Sequence, residues 1–161
     1  IGEWAFDHPG ERKKWDSKDV DLVYKEYFEL LRKSARTLLF DIIGHCDLVK
    51  KFGNRPSCEL LDDLENTAKV FKECNVAVEI NTSGLRKPVN EIYPSCEILK
   101  VYKRFGIPIV FGSDSHTPDD VGRDFDKAIS LAGAAGYEEY VTFENRTMKS
   151  HKLDSGRSIH C

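Results

Sequence analysis

The sequence lacks the long apolar runs, paired cysteines and positive charge that mark three large classes of protein. Its apolar runs fall well short of the roughly 18 residues that a membrane span needs, and no charged-then-apolar leader opens the chain. Its 5 cysteines include no Cys-x-x-Cys pair, which disfavours a thiolate zinc site and predicts reduced thiols. With 24 Lys and Arg against 27 Asp and Glu, the net charge of -3 disfavours nucleic acid as a partner.

The residues that are present describe an ordinary globular domain. The chain has 161 residues, of which 40% are hydrophobic and 32% are charged, and this is enough for a sizeable core. The chain starts on Ile1 rather than on methionine, so we expect that further sequence preceded it. Composition as a whole predicts a cytoplasmic enzyme or binding domain with no membrane contact.

Helical and extended patterns alternate along the chain. Amphipathic spacing and capping residues predict helices at 17–36, 57–75, 95–106 and 117–136. Short apolar runs predict strands at 38–44, 76–81, 107–111 and 140–143. This alternation is typical of β-α units, so we predict an α/β domain over residues 1–143 with parallel strands. The remaining residues, 144–161, are polar and are expected to form a flexible tail.

Polar side chains follow the predicted strands at the points where the strands end. Asp114 and His116 come directly after one apolar run and are two residues apart, so both can face one divalent cation. His45 and Asp47 repeat this spacing after an earlier run. An isolated Asp-x-His is more often a capped turn than half of a metal site. The carboxyl ends of parallel strands meet at one edge of a sheet, however, and this favours a shared site.

The loop after the second predicted strand has the composition of an oxyanion site. Its residues 82–86 combine hydroxyl groups, a glycine and the guanidinium of Arg86, all of which can donate hydrogen bonds to a phosphate. A solvated polar turn with an exposed arginine fits the same residues equally well. His8, next to Pro9, is more readily explained as a solvated surface residue than as a ligand.

Four segments of the chain, in this order, resemble the polymerase-and-histidinol-phosphatase (PHP) superfamily and, within it, the histidinol-phosphatases. These segments are 44–52 (GHCDLVKKF), 79–88 (EINTSGLRKP), 91–95 (EIYPS) and 112–116 (GSDSH). The resemblance implies a distorted (β/α)7 barrel that carries a cluster of divalent metals, commonly zinc, manganese or iron, at its mouth. It also implies hydrolysis of a phosphomonoester, L-histidinol phosphate in histidine biosynthesis, by a metal-activated water, with inorganic phosphate as product.

The resemblance also assigns roles by position. It implies that His45, Asp114 and His116 are metal ligands, and that Asp114 and His116 are also catalytic. It assigns Arg86 as the phosphate anchor, with Ser83 beside it. Asp47 is expected to help hold the metal ligands or the substrate in position.

The first part of the family pattern has no counterpart in this sequence. Members carry a His-x-His pair and further His, Asp and Glu ligands before the segment that resembles residues 1–7. The chain therefore resembles the C-terminal two-thirds of the domain, and its metal cluster is expected to be incomplete without a missing N-terminal segment or a partner chain. Two alternatives stay open: a non-catalytic remnant that binds metal or phosphate, and a PHP phosphoesterase with another substrate.

Overall fold

The structure is a computed structural model that describes residues 1–57 and 60–153. Its α-helices are α1 (Val20–Arg36), α2 (Leu61–Glu73), α3 (Cys96–Arg104) and α4 (Phe125–Ala134). Its strands are β1 (Ile42–Ile43), β2 (Ala77–Asn81), β3 (Ile109–Gly112), β4 (Glu139–Glu144) and β5 (Thr147–Lys152). Short 3-10 segments lie at Pro9–Ser17, Leu48–Lys50, Thr82–Arg86 and Pro118–Asp120.

The first three strands form a parallel sheet in the order β1-β2-β3. Val78, in the central strand, lies opposite Ile43 on one side and Ile109 on the other. Because all three strands run in the same direction, the residues that follow them lie at one edge of the sheet. The predicted α/β class is confirmed with a parallel sheet of three strands, whereas the fourth predicted strand, at 140–143, lies in a separate antiparallel sheet.

The main core lies where α1, α2 and α3 pack against one face of this sheet. Phe28, Phe71 and Tyr102, one from each helix, are at most 1% exposed and belong to one cluster with Val78. Fully burying a side chain of this size contributes roughly 1.5–3 kcal/mol. Asp19 begins α1 as the residue whose side chain accepts a hydrogen bond from the Leu22 N–H.

The opposite face of the sheet is covered only in part. Ala77 and Val110 pack there against Val141 of β4, whereas Ile42 remains 39% exposed. The residues just before β1, at 38–40, are large, apolar and exposed. In the part of the chain that the structure describes, no strand pairs with the outer edge of β1, so an apolar edge is open there.

β4 and β5 form an antiparallel hairpin that the sequence did not predict. Its loop is Asn145-Arg146, and both residues have positive φ, 50° and 62°, as a two-residue type I′ turn requires. The turn contains no glycine and β5 is polar, so the sequence pattern indicated neither the turn nor the strand. The flexible tail predicted from 144 is therefore not observed over Thr147–Lys152, and residues 154–161 lie outside the described part.

Helix α4 begins later than its capping pattern predicts. Thr117 and Pro118 do open a helical turn, but it is a 3-10 turn that ends at Asp120. Gly122 and Asp124 then adopt positive φ, 70° and 61°, which interrupts the helix before Phe125. Asp124 also lies within reach of Arg86 and Arg123, so tertiary ion pairs accompany the break.

The cysteines only partly match the prediction of reduced thiols. Cys46 and Cys74 are free, whereas Cys96 is disulfide-bonded, which corrects the prediction for that residue. Burial raises the pKa of the Cys46 thiol well above its ordinary value, so this residue acts as an apolar filler. Among the helices of residues 1–57 and 60–153, none is both long enough and apolar enough to cross a membrane.

Candidate functional site

Three strand ends bring His45, Asn81 and Asp114 together. His45 lies just beyond β1, Asn81 ends β2, and Asp114 lies just beyond β3. His45 Nε2 is 3.6 Å from Asp114 Oδ2 and 3.4 Å from Asn81 Nδ2. The structure thus joins two of the predicted ligands and adds the side-chain amide of Asn81.

The backbone at this site is strained at two of the three predicted ligands. His45 and Asp114 have φ values of 53° and 49°, in the left-handed region that residues with a Cβ rarely adopt. Such conformations cost about 1–3 kcal/mol each and tend to cluster at functional sites. The carbonyl of His45 accepts hydrogen bonds from the Tyr27 hydroxyl and the Leu48 N–H, and these help to hold the strained turn.

His116 takes a different position from the one its spacing predicts. Its side chain is exposed, and its Nδ1 lies 3.0 Å from the backbone carbonyl of Asp114. Within the described residues, no group of three or more His, Cys, Asp and Glu side chains is arranged to hold a metal ion. His45 and Asp114 nevertheless offer an imidazole nitrogen and a carboxylate oxygen, which suit zinc, manganese or iron. The pair fits part of a metal site and requires further donors.

Glu79 lies beside the site and was missed by sequence reasoning. Its Oε2 is 3.7 Å from His45 Nδ1, so the imidazole has a carboxylate on each side. Glu79 interrupts the apolar run at 76–80, and a single charge inside a strand with helices on one face could have drawn attention to it.

The loop after β2 presents donors without partners. Ser83 Oγ and Arg86 Nη1 are buried, and neither has a hydrogen-bond partner in the part of the chain that the structure describes. Buried polar atoms usually have a hydrogen-bond partner, so two such atoms without one in this described loop call for an explanation. The Arg86 guanidinium is fixed in place by Nη2, which donates to the Ser113 carbonyl at 2.6 Å. The loop therefore has donors that could face an anion, and Asp120 and Asp124 lie 3.7 and 4.0 Å from the same guanidinium.

Asp47 joins two segments of the chain. Its Oδ2 accepts hydrogen bonds from Lys50 Nζ at 2.8 Å and from the Ser95 N–H at 2.9 Å. Burial raises the pKa of Asp47, although Lys50 and the Ser95 N–H act in the opposite direction. His8 is exposed and accepts a hydrogen bond from the Gly10 N–H, as a turn residue does.

Comparisons with known proteins bear directly on this arrangement. A family model described as PHP-associated matches residues 97–125. A protein named probable histidinol-phosphatase from Deinococcus radiodurans is 36% identical over 149 residues, which cover 92% of this chain and 56% of that protein. Over most of its length the chain is therefore similar to PHP-type histidinol-phosphatases. The Bacillus subtilis histidinol-phosphatase is another relative, 30% identical over 112 residues, which are 64% of this chain and 42% of that protein.

A solved structure has a similar fold. It comes from Listeria monocytogenes, is provisionally assigned as a histidinol phosphatase, and matches with a TM-score of 0.56 at 27% identity. The match covers 63% of this chain and 42% of that one. The chain spans about half the length of the PHP relatives it matches.

Proposed function

We propose that this chain is part of a metal-dependent phosphomonoester hydrolase that acts on L-histidinol phosphate. The observation that carries the proposal is the pairing of His45 with Asp114 at the same sheet edge as Ser83 Oγ and Arg86 Nη1, which are buried without a hydrogen-bond partner in the described residues. One pair has the chemistry of metal ligands, and the other has the chemistry of a phosphate anchor. The substrate is the one in the names of the relatives from Deinococcus radiodurans and Bacillus subtilis.

Each residue has a role in this proposal. A divalent metal cluster, containing zinc, manganese or iron, would supply a water of lowered pKa and positive charge beside the phosphoryl oxygens. His45 and Asp114 would hold it, and His116, on the same turn as Asp114, would join them. Arg86 would bind the phosphate through Nη1, which makes no hydrogen bond in the described residues but lies 4.0 Å from Asp124 Oδ2, and Ser83 would donate through its hydroxyl.

The remaining ligands would come from outside the described residues. We place β1, β2 and β3 in a (β/α)7 barrel whose other strands belong to a further segment of the protein or to a partner chain. The open edge of β1 and the shorter span of the chain relative to its family support this placement. A phosphorylated metabolite as substrate favours the cytoplasm.

The proposal is tested by phosphate release from L-histidinol phosphate with added Mn²⁺ or Zn²⁺. The chain is assayed by itself and together with the N-terminal part of the Deinococcus relative. Asp114→Asn is compared with Asp119→Asn, a matched change at an exposed position nearby. We expect metal-dependent turnover that Asp114→Asn lowers at least about 100-fold and that Asp119→Asn leaves unchanged.

A second candidate is a remnant that binds metal or phosphate without turnover. The lack of a three-residue metal group within residues 1–57 and 60–153 favours it. It predicts no phosphate release in either assay while inorganic phosphate still binds to the chain. That result would overturn the phosphatase proposal.

A further inference from the structure

Glu79 is a partly buried carboxylate at the centre of the parallel sheet. It belongs to β2, opposite Val110 of β3, and its side chain is 19% exposed. Its ion-pair partner in the described part of the chain is His45, rather than a lysine or an arginine. A carboxylate loses hydration at such a position, so its presence calls for a specific partner.

Two glycines on the neighbouring strands make room for this carboxylate. A Cβ added at Gly112 would lie 1.9 Å from Glu79 Oε1, and a Cβ added at Gly44 would lie 3.0 Å from Oε2. Neither glycine is needed for a positive φ, because neither has one. Gly44, just after β1, and Gly112, in β3, thus leave space for the carboxylate of Glu79 in β2. In this space Glu79 Oε2 lies beside His45.

The imidazole of His45 lies between two carboxylates that face different nitrogens. Nδ1 faces Glu79 Oε2 at 3.7 Å, and Nε2 faces Asp114 Oδ2 at 3.6 Å. A histidine that binds a metal through one nitrogen commonly donates its other N–H to a carboxylate, which fixes the tautomer and the ring orientation. The distance to Glu79 exceeds a direct hydrogen bond, and either a small rotation of the ring or one bridging water would close it.

We propose that Glu79 is a positioning residue that accepts the Nδ1–H of His45 and thereby directs an unprotonated Nε2 towards Asp114. The proposal deepens the proposed function, on which it rests for the identity of the group that Nε2 would bind. In the metal-free chain it concerns only the tautomer and orientation of one ring. Glu79 itself touches neither metal nor substrate in this account.

The first test is nitrogen NMR of the histidine rings in the metal-free chain at a pH where His45 is neutral. The His45 signals are assigned by their loss in His45→Ala. We expect the wild-type ring to carry its proton on Nδ1. Glu79→Gln, which keeps an acceptor oxygen, should largely preserve this tautomer, and Glu79→Leu should lose the preference.

Gly112→Ala provides an independent variant that leaves the glutamate in place. The added methyl group would overlap Oε1, and a flexible carboxylate end can move aside, so the chain is expected to fold while Glu79 is displaced. Its His45 ring should resemble that of Glu79→Leu. Glu73→Gln, at an exposed position on α2, is the matched control and should match the wild type.

The second test is titration with Zn²⁺ in the absence of substrate. Loss of a carboxylate that orients a metal-binding histidine typically lowers metal affinity about 10–100-fold. We expect this decrease for Glu79→Leu and Gly112→Ala, and a smaller decrease for Glu79→Gln. Equal losses in Glu79→Gln and Glu79→Leu would show that Glu79 is itself a ligand and would overturn the positioning role.

The proposal is also overturned if His45 retains the Nδ1–H form in both Glu79→Leu and Gly112→Ala, or if the wild-type ring carries its proton on Nε2. These outcomes are separable from failure of the proposed function. A chain without phosphatase activity but with the expected tautomers would refute the enzyme and leave the role of Glu79 intact. An active phosphatase with unchanged tautomers would do the reverse.

Discussion

Lys50 and Asp47 form an ion pair in which Nζ lies 2.8 Å from Oδ2, and the two side chains are only 1% and 2% exposed. Lys50 also donates to the Ile92 carbonyl at 2.8 Å and lies 3.2 Å from Glu91 Oε1. The buried ammonium is therefore surrounded by oxygens from two segments. It ties the loop after β1 to the segment that precedes α3.

Replacing Lys50 with methionine should strongly destabilise the fold. The change keeps the buried aliphatic stem but leaves Asp47 as a buried charge without its cation, which typically costs about 3–5 kcal/mol of unfolding free energy. Urea unfolding measures the loss, and Lys33→Met, at a side chain 65% exposed, should change stability by less than about 0.5 kcal/mol. Adding Asp47→Asn to Lys50→Met should restore part of the loss. A single-variant loss below about 1 kcal/mol would contradict the importance of the pair.

Glu91 should make part of the stability depend on pH. Burial acts to raise its pKa, but the hydrogen bond from Arg55 and the charges of Lys50 and Arg55 outweigh burial and lower the pKa below its ordinary value of 4.5. A lowered folded-state pKa stabilises the fold above the unfolded value, and this contribution is lost as the pH falls through the folded value.

Glu91→Gln should therefore flatten the dependence of unfolding free energy on pH, over roughly pH 6 to 3. The wild type should lose more stability than the variant as the pH falls across this window, as measured by urea unfolding at each pH. Glu73→Gln should follow the wild-type curve. Parallel curves for wild type and Glu91→Gln would show that the ion pairs of Glu91 contribute nothing.

Gly84 permits close approach of two backbone segments. A Cβ at this position would lie 1.9 Å from the Glu91 carbonyl oxygen and 2.9 Å from the Tyr93 ring, and backbone cannot move aside as a side-chain end can. Gly84→Ala should cost about 1–3 kcal/mol by overpacking. Gly10→Ala, where the nearest atom is the side-chain Nδ1 of His8 at 3.1 Å, is the control in thermal unfolding. Equal midpoints for the two variants would refute the packing explanation.

Arg86 should contribute to phosphate binding through the geometry of its guanidinium as well as through its charge. Arg86→Lys keeps the charge but removes the planar fork that suits phosphate. We expect the KM for L-histidinol phosphate and the inhibition constant of inorganic phosphate both to rise at least about 10-fold, the loss typical of one charge-assisted hydrogen bond. Arg36→Lys, at an exposed position on α1, should leave both constants unchanged. An unaltered inhibition constant in Arg86→Lys would exclude Arg86 as the anchor.

The sequence predicted the parts of this molecule that depend on local pattern. Apolar runs ending in His45 and Asp114 gave both the parallel strands and the sheet edge where these residues meet, because strand direction alone decides that edge. Sequence reasoning did not predict the buried positions of Glu79 and Lys50. Their burial depends on which distant residues surround them, namely glycines on neighbouring strands for Glu79 and the Ile92 carbonyl for Lys50. The spacing of apolar and polar residues along the chain carries no information about such contacts.

His45 and Asn81, which meet at the site, are 36 residues apart in sequence, and Asp114 lies one further β-α unit along the chain. Contacts at such separations form only after the intervening helices have packed and the loop-closure entropy has been overcome. The site is therefore absent from any folding intermediate that lacks one of the three strands. A metal bound at His45 and Asp114, as proposed, would favour the fully formed sheet over such intermediates, so metal binding would be coupled to the last step of folding.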